Sequence, residues 1–218
     1  MGAVQIASQK RMRGRPRADE VLDSGAIVRA ALTAFAQYGW EGTHLRQVAE
    51  AAGVDAALIA RRFDGKMGLW CAIVDHVSAR LSEALEAGGG EGAADAGQRL
   101  ATVVEHFVRL SLEMPDLGRF FIDQIARPGE RRLYAIEKMW LVLREALLPL
   151  VEEARRRGQI PAVQDAGTYV ASLIGAVAMP LMMRSVALGD MTAESAQTAF
   201  MQDIAALFIP GREVGKIA

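Results

Sequence analysis

Two clusters of residue types in this chain have chemistry that suits a polyanion. The first is KRMRGRPR, Lys10 to Arg17, five basic residues with no acid among them. The second runs from Thr43 to Lys66, THLRQVAEAAGVDAALIARRFDGK, where helix starts and a lysine are natural partners of phosphate. Whole-chain charge conceals this polarity. Residues 1–17 carry +5 and the chain of 218 residues carries −1, so residues 18–218 carry −1 − 5 = −6. A basic end on an acidic body meets a polyanion through that end. Enzyme chemistry has no comparable cluster. His44, His76 and His106 lack metal-ligand spacing, and the single Cys71 lacks a base or a metal partner. The run Gly88 to Gly92 lies between helices rather than after a strand, so it reads as a linker and not a phosphate loop. No catalytic residue, metal or cofactor is expected, and Cys71 reads as a small core residue in a reducing cytoplasm.

The elements that must position the second cluster are two short helices. Thr43 is placed to cap the first, and Leu45, Val48 and Ala49 give it one buried face. Gly53 supplies the left-handed turn, with Val54 plugging the angle between the helices. Asp55 caps the second helix. That helix sends Ile59 and Phe63 inward and Ala56, Ala57, Ala60 and Arg61 outward, a face suited to the major groove. An ordinary helical hairpin is the plain alternative. Upstream, Ile27, Ala31, Ala34, Phe35 and Tyr38 mark an amphipathic helix from about Asp23, closed by Gly39.

The order AALTAFAQYGWEGTHLRQVAEAAGVDAALIARRFDGKMGL closely resembles the DNA-binding domain of the tetracycline-repressor-like (TetR/AcrR) transcriptional regulators. The resemblance spans about residues 23 to 70. It implies phosphate contacts from Thr43 and Lys66, with His44 beside them and Ala57 and Ala60 able to touch thymine methyls. The chain departs from the family at Ala60, where an aromatic residue is usual, and at Asp55, where Ser or Thr is usual. Arg61 and Arg62 are placed to compensate. Separately, Arg-Gly-Arg-Pro in the arm resembles an AT-hook core: Arg15 would lie in a narrow A·T minor groove, with Arg13 and Arg17 near phosphates. A nonspecific basic tail is the alternative.

With 51% apolar residues and no strand signals, the periodicity predicts an all-α chain of about nine helices. The fourth runs from Lys66 to about Ala87, the fifth from near Asp95 to before Pro115, and the sixth ends before Pro128. A seventh covers about Glu130 to Arg157, with Pro149 as a bend or restart. The eighth spans about Asp165 to Leu188, and the ninth follows a Thr192 cap from Ala193 to Phe208. Ala166 to Met183 is uncharged but interrupted by Gly167, Gly175 and Pro180, has no apolar companion segment and is not expected to span a membrane.

The expected organisation is a basic arm (1–18), a three-helix helix-turn-helix domain (19–66) and a larger helical body (67–218). The resemblance implies that the body dimerises and senses a small molecule that moves the fourth helix and releases a palindromic double-stranded DNA operator with A·T-rich flanks. The expected homodimer uses Val170, Leu173, Ile174, Val177 and Leu181 of the eighth helix, with Ala196, Ala199, Phe200, Ile204 and Leu207 of the ninth; the alternative is that both stripes fill the core of the monomer, as some of these residues must. For an apolar or amphipathic effector the expected site residues are Trp70, Phe107, Phe120 and Trp140, with His106, Arg109, Gln124 and Tyr169 as polar anchors; Arg109 would meet an acidic group. An architectural A·T-rich DNA binder that senses nothing is the other reading of the same residues.

Overall fold

The computed structural model describes residues 24–88, 95–183 and 192–211. The arm with Arg13, Arg15 and Arg17, and the glycine run beyond Gly88, lie outside the described residues. Among those residues there are nine helices and no strand.

Helix α1 (Ser24–Gly42) buries Ile27, Ala31, Leu32 and Phe35, and Gly39 interrupts its regular backbone at φ 66°, ψ −174°. Tyr38, expected on the buried face, is 48% exposed, because it sits at the end of that face just before the Gly39 kink. Helices α2 (Leu45–Ala52) and α3 (Ala56–Phe63) meet at Gly53, whose φ of 67° is left-handed. The Gly53 N–H donates to Glu50 O and the Val54 N–H to Ala49 O at 2.9 Å, which satisfies the last carbonyls of α2 in a Schellman closure. Asp55 caps α3, its carboxylate accepting from the Ala57 N–H at 2.6 Å.

Helix α4 (Gly65–Gly88) follows after one left-handed residue, Asp64. Its Gly68 lies against the end of α3 so closely that an added Cβ would stand 1.6 Å from the Phe63 carbonyl oxygen. Helix α5 (Ala96–Glu113) is capped by Asp95, and α6 (Leu117–Ala126) follows a short turn through Pro115. Helix α7 is continuous from Glu130 to Arg156 but not uniform: Glu130–Ala135 is α-helical, Ile136–Leu141 is a π-helical turn, and Val142–Arg156 returns to α, with Pro149 inside it. The π turn carries none of the Gly or Pro signals by which an irregularity is read from sequence. Helix α8 (Ala166–Met182) is capped by the Asp165 carboxylate. Helix α9 (Glu194–Phe208) has Ala193, not Thr192, at its cap position.

One buried cluster runs through all of this. Helix α6 joins the first three helices to the rest. Phe120 packs against Phe35 of α1 (6.5 Å between ring centroids) and Trp70 of α4 (6.1 Å), and the Thr33 hydroxyl donates to Asp116 Oδ2 at 2.7 Å. The expected dimer stripe on α8 is instead core: Val170, Leu173 and Val177 are fully enclosed, and Ile174 and Leu181 nearly so. Phe200 and Ile204 of α9 are buried in the same chain. An apolar stripe at helical spacing finds the nearest core first, and here that core is internal. The surface left outside on α8 is narrow and made largely of small residues, Ala171, Ser172 and Gly175, with Met179; on α9 it includes Ala199 and Leu207. No described helix is long and apolar enough to cross a membrane.

Candidate functional site

The α2–α3 unit is built from few buried side chains. Val48, Ala49 and Ile59 anchor it, and the rest of its surface is open. On α3, Ala57, Ala60 and Arg61 are exposed, which leaves a low, uncluttered face with one cation. Ala56, expected outward, is half-buried and packs on the core. Arg62 turns away from that face and donates to the Ser24 hydroxyl, tying α3 to the start of α1.

Thr43 does not cap α2. Its side chain is completely buried, and its hydroxyl is committed to Gly39 O at 2.7 Å with Ala34 O at 3.1 Å. Its one proton is directed at these α1 carbonyls on either side of the Gly39 kink, so it is not free to meet a phosphate. His44 holds the cap position instead, exposed, with its N–H donating to Gln47 Oε1 at 2.9 Å. Arg46, exposed on α2 beside His44, is a cation that the sequence analysis passed over; its signal was a basic residue on the polar side of a short amphipathic helix.

Lys66 is half-buried with its ammonium 4.7 Å from the centroid of Trp40, and the Arg131 guanidinium of α7 lies 3.9 Å from the same ring. Burial holds the Lys66 ammonium below its ordinary pKa; Glu41 pulls it up and Arg131 pushes it further down.

A second feature lies inside the body. Five helices enclose an apolar cavity of about 60 Å³: Leu81 from α4, Phe107 and Ser111 from α5, Leu117, Gly118 and Phe121 from α6, Met139, Trp140 and Leu143 from α7, and Ile174, Ala178, Leu181 and Met182 from α8. Among the described residues Ser111 is its one polar side chain besides the ring of Trp140, and its hydroxyl is already donated to Phe107 O at 2.8 Å. The π turn of α7 supplies Met139 and Trp140, and π turns recur where a helix must present side chains out of α register. At Gly118 the α6 and α8 backbones come close, a Cβ there meeting Ala178 O at 3.3 Å.

The structure divides the expected effector residues among several places. Phe107 and Trp140 line the cavity. Trp70 and Phe120 do not; they are fully buried in the aromatic contact above it, where Trp70 also meets Tyr134 at 5.9 Å. His106 and Arg109 face a separate α4–α5 groove with Arg80 and Glu113, and Arg109 is paired with Glu105 at 2.8 Å. Tyr169 belongs to the α8–α9 contact, its hydroxyl donating to Phe208 O, and Gln124 lies at the α6–α7 corner. Aromatic content alone could not separate these places, since helix packing decides which face of each helix looks into a shared space.

Residues 27–73 match the family described as bacterial regulatory proteins, tetR family. A stretch of 78 residues is 36% identical to the HTH-type transcriptional repressor ComR of Escherichia coli (strain K12), and the match spans 36% of each chain, about a third of that relative's length. The structure of AibR in complex with isovaleryl coenzyme A and operator DNA aligns with a TM-score of 0.70 at 18% identity, covering 86% of this chain and 98% of that one. The fatty acid degradation regulator FadR from Bacillus halodurans aligns with a TM-score of 0.67 at 18% identity, covering 87% and 99%. At such identities these structures establish the fold. The matched residues 27–73 include those that build the open α2–α3 face, and over this stretch the chain is similar to the tetR family of bacterial regulatory proteins.

Proposed function

We propose that the protein is a homodimeric DNA-binding transcriptional regulator, a repressor whose hold on a palindromic operator is released by an apolar effector in the α4–α8 cavity. The observation that carries this reading is the position of α6. One of its faces, through Leu117, Gly118 and Phe121, lines the cavity, and the other, through Phe120, packs on Phe35 of α1 and Trp70 of α4, the helices against which α2 and α3 pack. A ligand that displaces α6 therefore disturbs the seat of the DNA-binding unit. Release requires that the effector bind the DNA-incompetent arrangement more tightly than the competent one.

The DNA face comprises Ala57, Ala60 and Arg61 at base edges, with His44, Arg46 and Lys66 at phosphates. Lys66 would exchange its place over Trp40 for a phosphate. The two-fold contact uses the outer surfaces of α8 and α9, Ala171, Ser172, Gly175 and Met179 with Ala199 and Leu207, in place of the buried stripes first expected. Small residues there let two copies of α8 approach closely. The body domain is taken to begin within α4, and the basic arm to add minor-groove contacts.

The cavity supports an uncharged occupant. Among the described residues no charged side chain lines it, so a buried carboxylate would lack a partner there. AibR and FadR are described with an acyl coenzyme A and with fatty acid degradation, which suits an acyl chain whose polar end stays outside. At about 60 Å³ it is smaller than the ~150 Å³ cavity that accepts benzene, so uptake moves Met139, Trp140 or Met182. Local sensing also favours a regulator over an architectural DNA binder, which would have no use for such a space.

Footprinting on the DNA flanking the gene tests the reading. The expected result is one short protected palindrome, lost on adding medium-chain acyl ligands, with Lys66→Ala lowering affinity for all sequences and the salt slope by about one counterion. Broad coating of A·T-rich DNA, unaffected by any acyl ligand, would overturn it in favour of the architectural reading.

A further inference from the structure

The α6–α7 corner holds more positive charge than the fold requires. A partly enclosed space of about 170 Å³ is bounded there by Arg127, Arg131 and Arg132, with Glu130, the buried Gln124 and the Pro128–Gly129 turn. Counting its charged lining gives 3 − 1 = +2. Arg127 has an acidic partner, Asp123 at 3.8 Å. Among the described residues Arg131 has no acidic partner within ion-pair distance, and its Nε is buried without a hydrogen-bond acceptor. A guanidinium N–H shut away from water and left unmade is costly, and three guanidinium groups around one space repel one another unless an anion joins them. The cation–π contact with Trp40 supplies no hydrogen-bond acceptor to that N–H.

We infer that this corner is a binding site for a small phosphorylated anion, held by Arg131 and Arg132 with Arg127 at the rim. Phosphate matches the site in charge, since a phosphoryl group carries nearly two negative charges at neutral pH, and in geometry, since guanidinium forks grip its oxygens in pairs. The size agrees: about 170 Å³ falls short of the ~300 Å³ at which sites for drug-sized ligands begin, and suits one or two phosphoryl groups. The site is separate from the apolar cavity and needs no operator. It is nonetheless wired to the DNA-binding unit, because Arg131 shares the Trp40 ring with Lys66. An anion that draws in Arg131 removes a like charge from beside Lys66 and changes the environment of Trp40.

Calorimetric titration of the full chain with inorganic pyrophosphate, without DNA, is the test. The expected result is saturable binding at one site per chain, accompanied by a tryptophan fluorescence change that disappears in Trp40→Phe. Arg131→Gln and, separately, the exposed Arg132→Gln should weaken binding roughly tenfold or more, as loss of charge-assisted hydrogen bonds predicts. Arg132→Gln, with unchanged thermal melting, keeps the test valid if Arg131→Gln does not fold. Absence of saturable binding at millimolar pyrophosphate overturns the inference. So does binding that survives both variants but falls in Arg61→Gln, which would put the anion on the DNA face. Loss of operator affinity in the two variants without any pyrophosphate binding would assign the phosphate to the DNA backbone and equally overturn it.

Discussion

The α2–α3 unit and the α4–α8 body are made of the same kind of helix and reach their chemistry by different routes. In the first, each helix is eight residues long, and caps at His44 and Asp55 with one left-handed glycine fix its geometry. Its working surface is whatever those local devices leave outside. In the body, the cavity exists only where five helices fail to fill the space between them, and no single helix holds a recognisable part of it. A site built on local turns tolerates changes elsewhere in the molecule, whereas one built by packing depends on every wall. Phe120 is where the two meet.

The largest effect should therefore come from Phe120→Ala. Removing a fully buried ring that touches both Phe35 and Trp70 should cost about 3–5 kcal/mol and lower the melting of both regions in one transition. Two separate transitions, with only the body destabilised, would mean that the regions are independent and that α6 carries no signal between them.

Gly68→Ala probes the seat of the DNA-binding unit alone. The added Cβ would collide with the Phe63 carbonyl, a backbone atom that cannot swing aside, so α3 must shift relative to α4. Overpacking of this kind costs about 1–3 kcal/mol, and operator binding in a mobility-shift assay should be lost beyond that stability change. Full operator affinity in this variant would show that the angle of α3 on α4 is slack.

Asp55→Ala should cost about 1 kcal/mol through loss of the cap on α3, measured by denaturant unfolding, and should leave ligand uptake by the body unchanged. An effect on effector affinity as large as that on DNA binding would break the distinction between a locally built site and a packed one.

The smallest effect concerns the corner of the body nearest Trp70. The Tyr134 hydroxyl donates to Asp75 Oδ1 at 2.6 Å, and that bond, with burial and the Asp75 charge, pushes its pKa up to about 12. Because the folded value is raised, this contribution to stability is fully present below the ordinary tyrosine value near 10 and is lost as pH rises through about 12. Spectrophotometric titration should show two late-ionising tyrosines, Tyr134 and the buried Tyr169, of which one vanishes in Tyr134→Phe. Ionisation of all tyrosines together near 10 would remove the bond from consideration.

Local chemistry in the sequence determined most of the DNA-binding unit: Gly53 had to turn left-handed, Asp55 had to cap, and Ile59 and Phe63 had to face in, because each follows from the residue type and its immediate neighbours. The helix count and the breaks at Pro115, Pro128 and Gly158 were legible for the same reason, whereas Pro149 and Pro180 lie inside their helices. Tertiary structure decided what depended on distant partners. Thr43 has the right type for a cap, yet the carbonyls of Gly39 and Ala34 in α1 claimed its hydroxyl. The α8 stripe has the period of an interface, yet the interior of its own chain took it. Arg109 has the charge to anchor an acid, yet Glu105 holds it in another groove. A period or a charge specifies that a side chain needs a partner; which partner it finds depends on the packing of helices far apart in the chain.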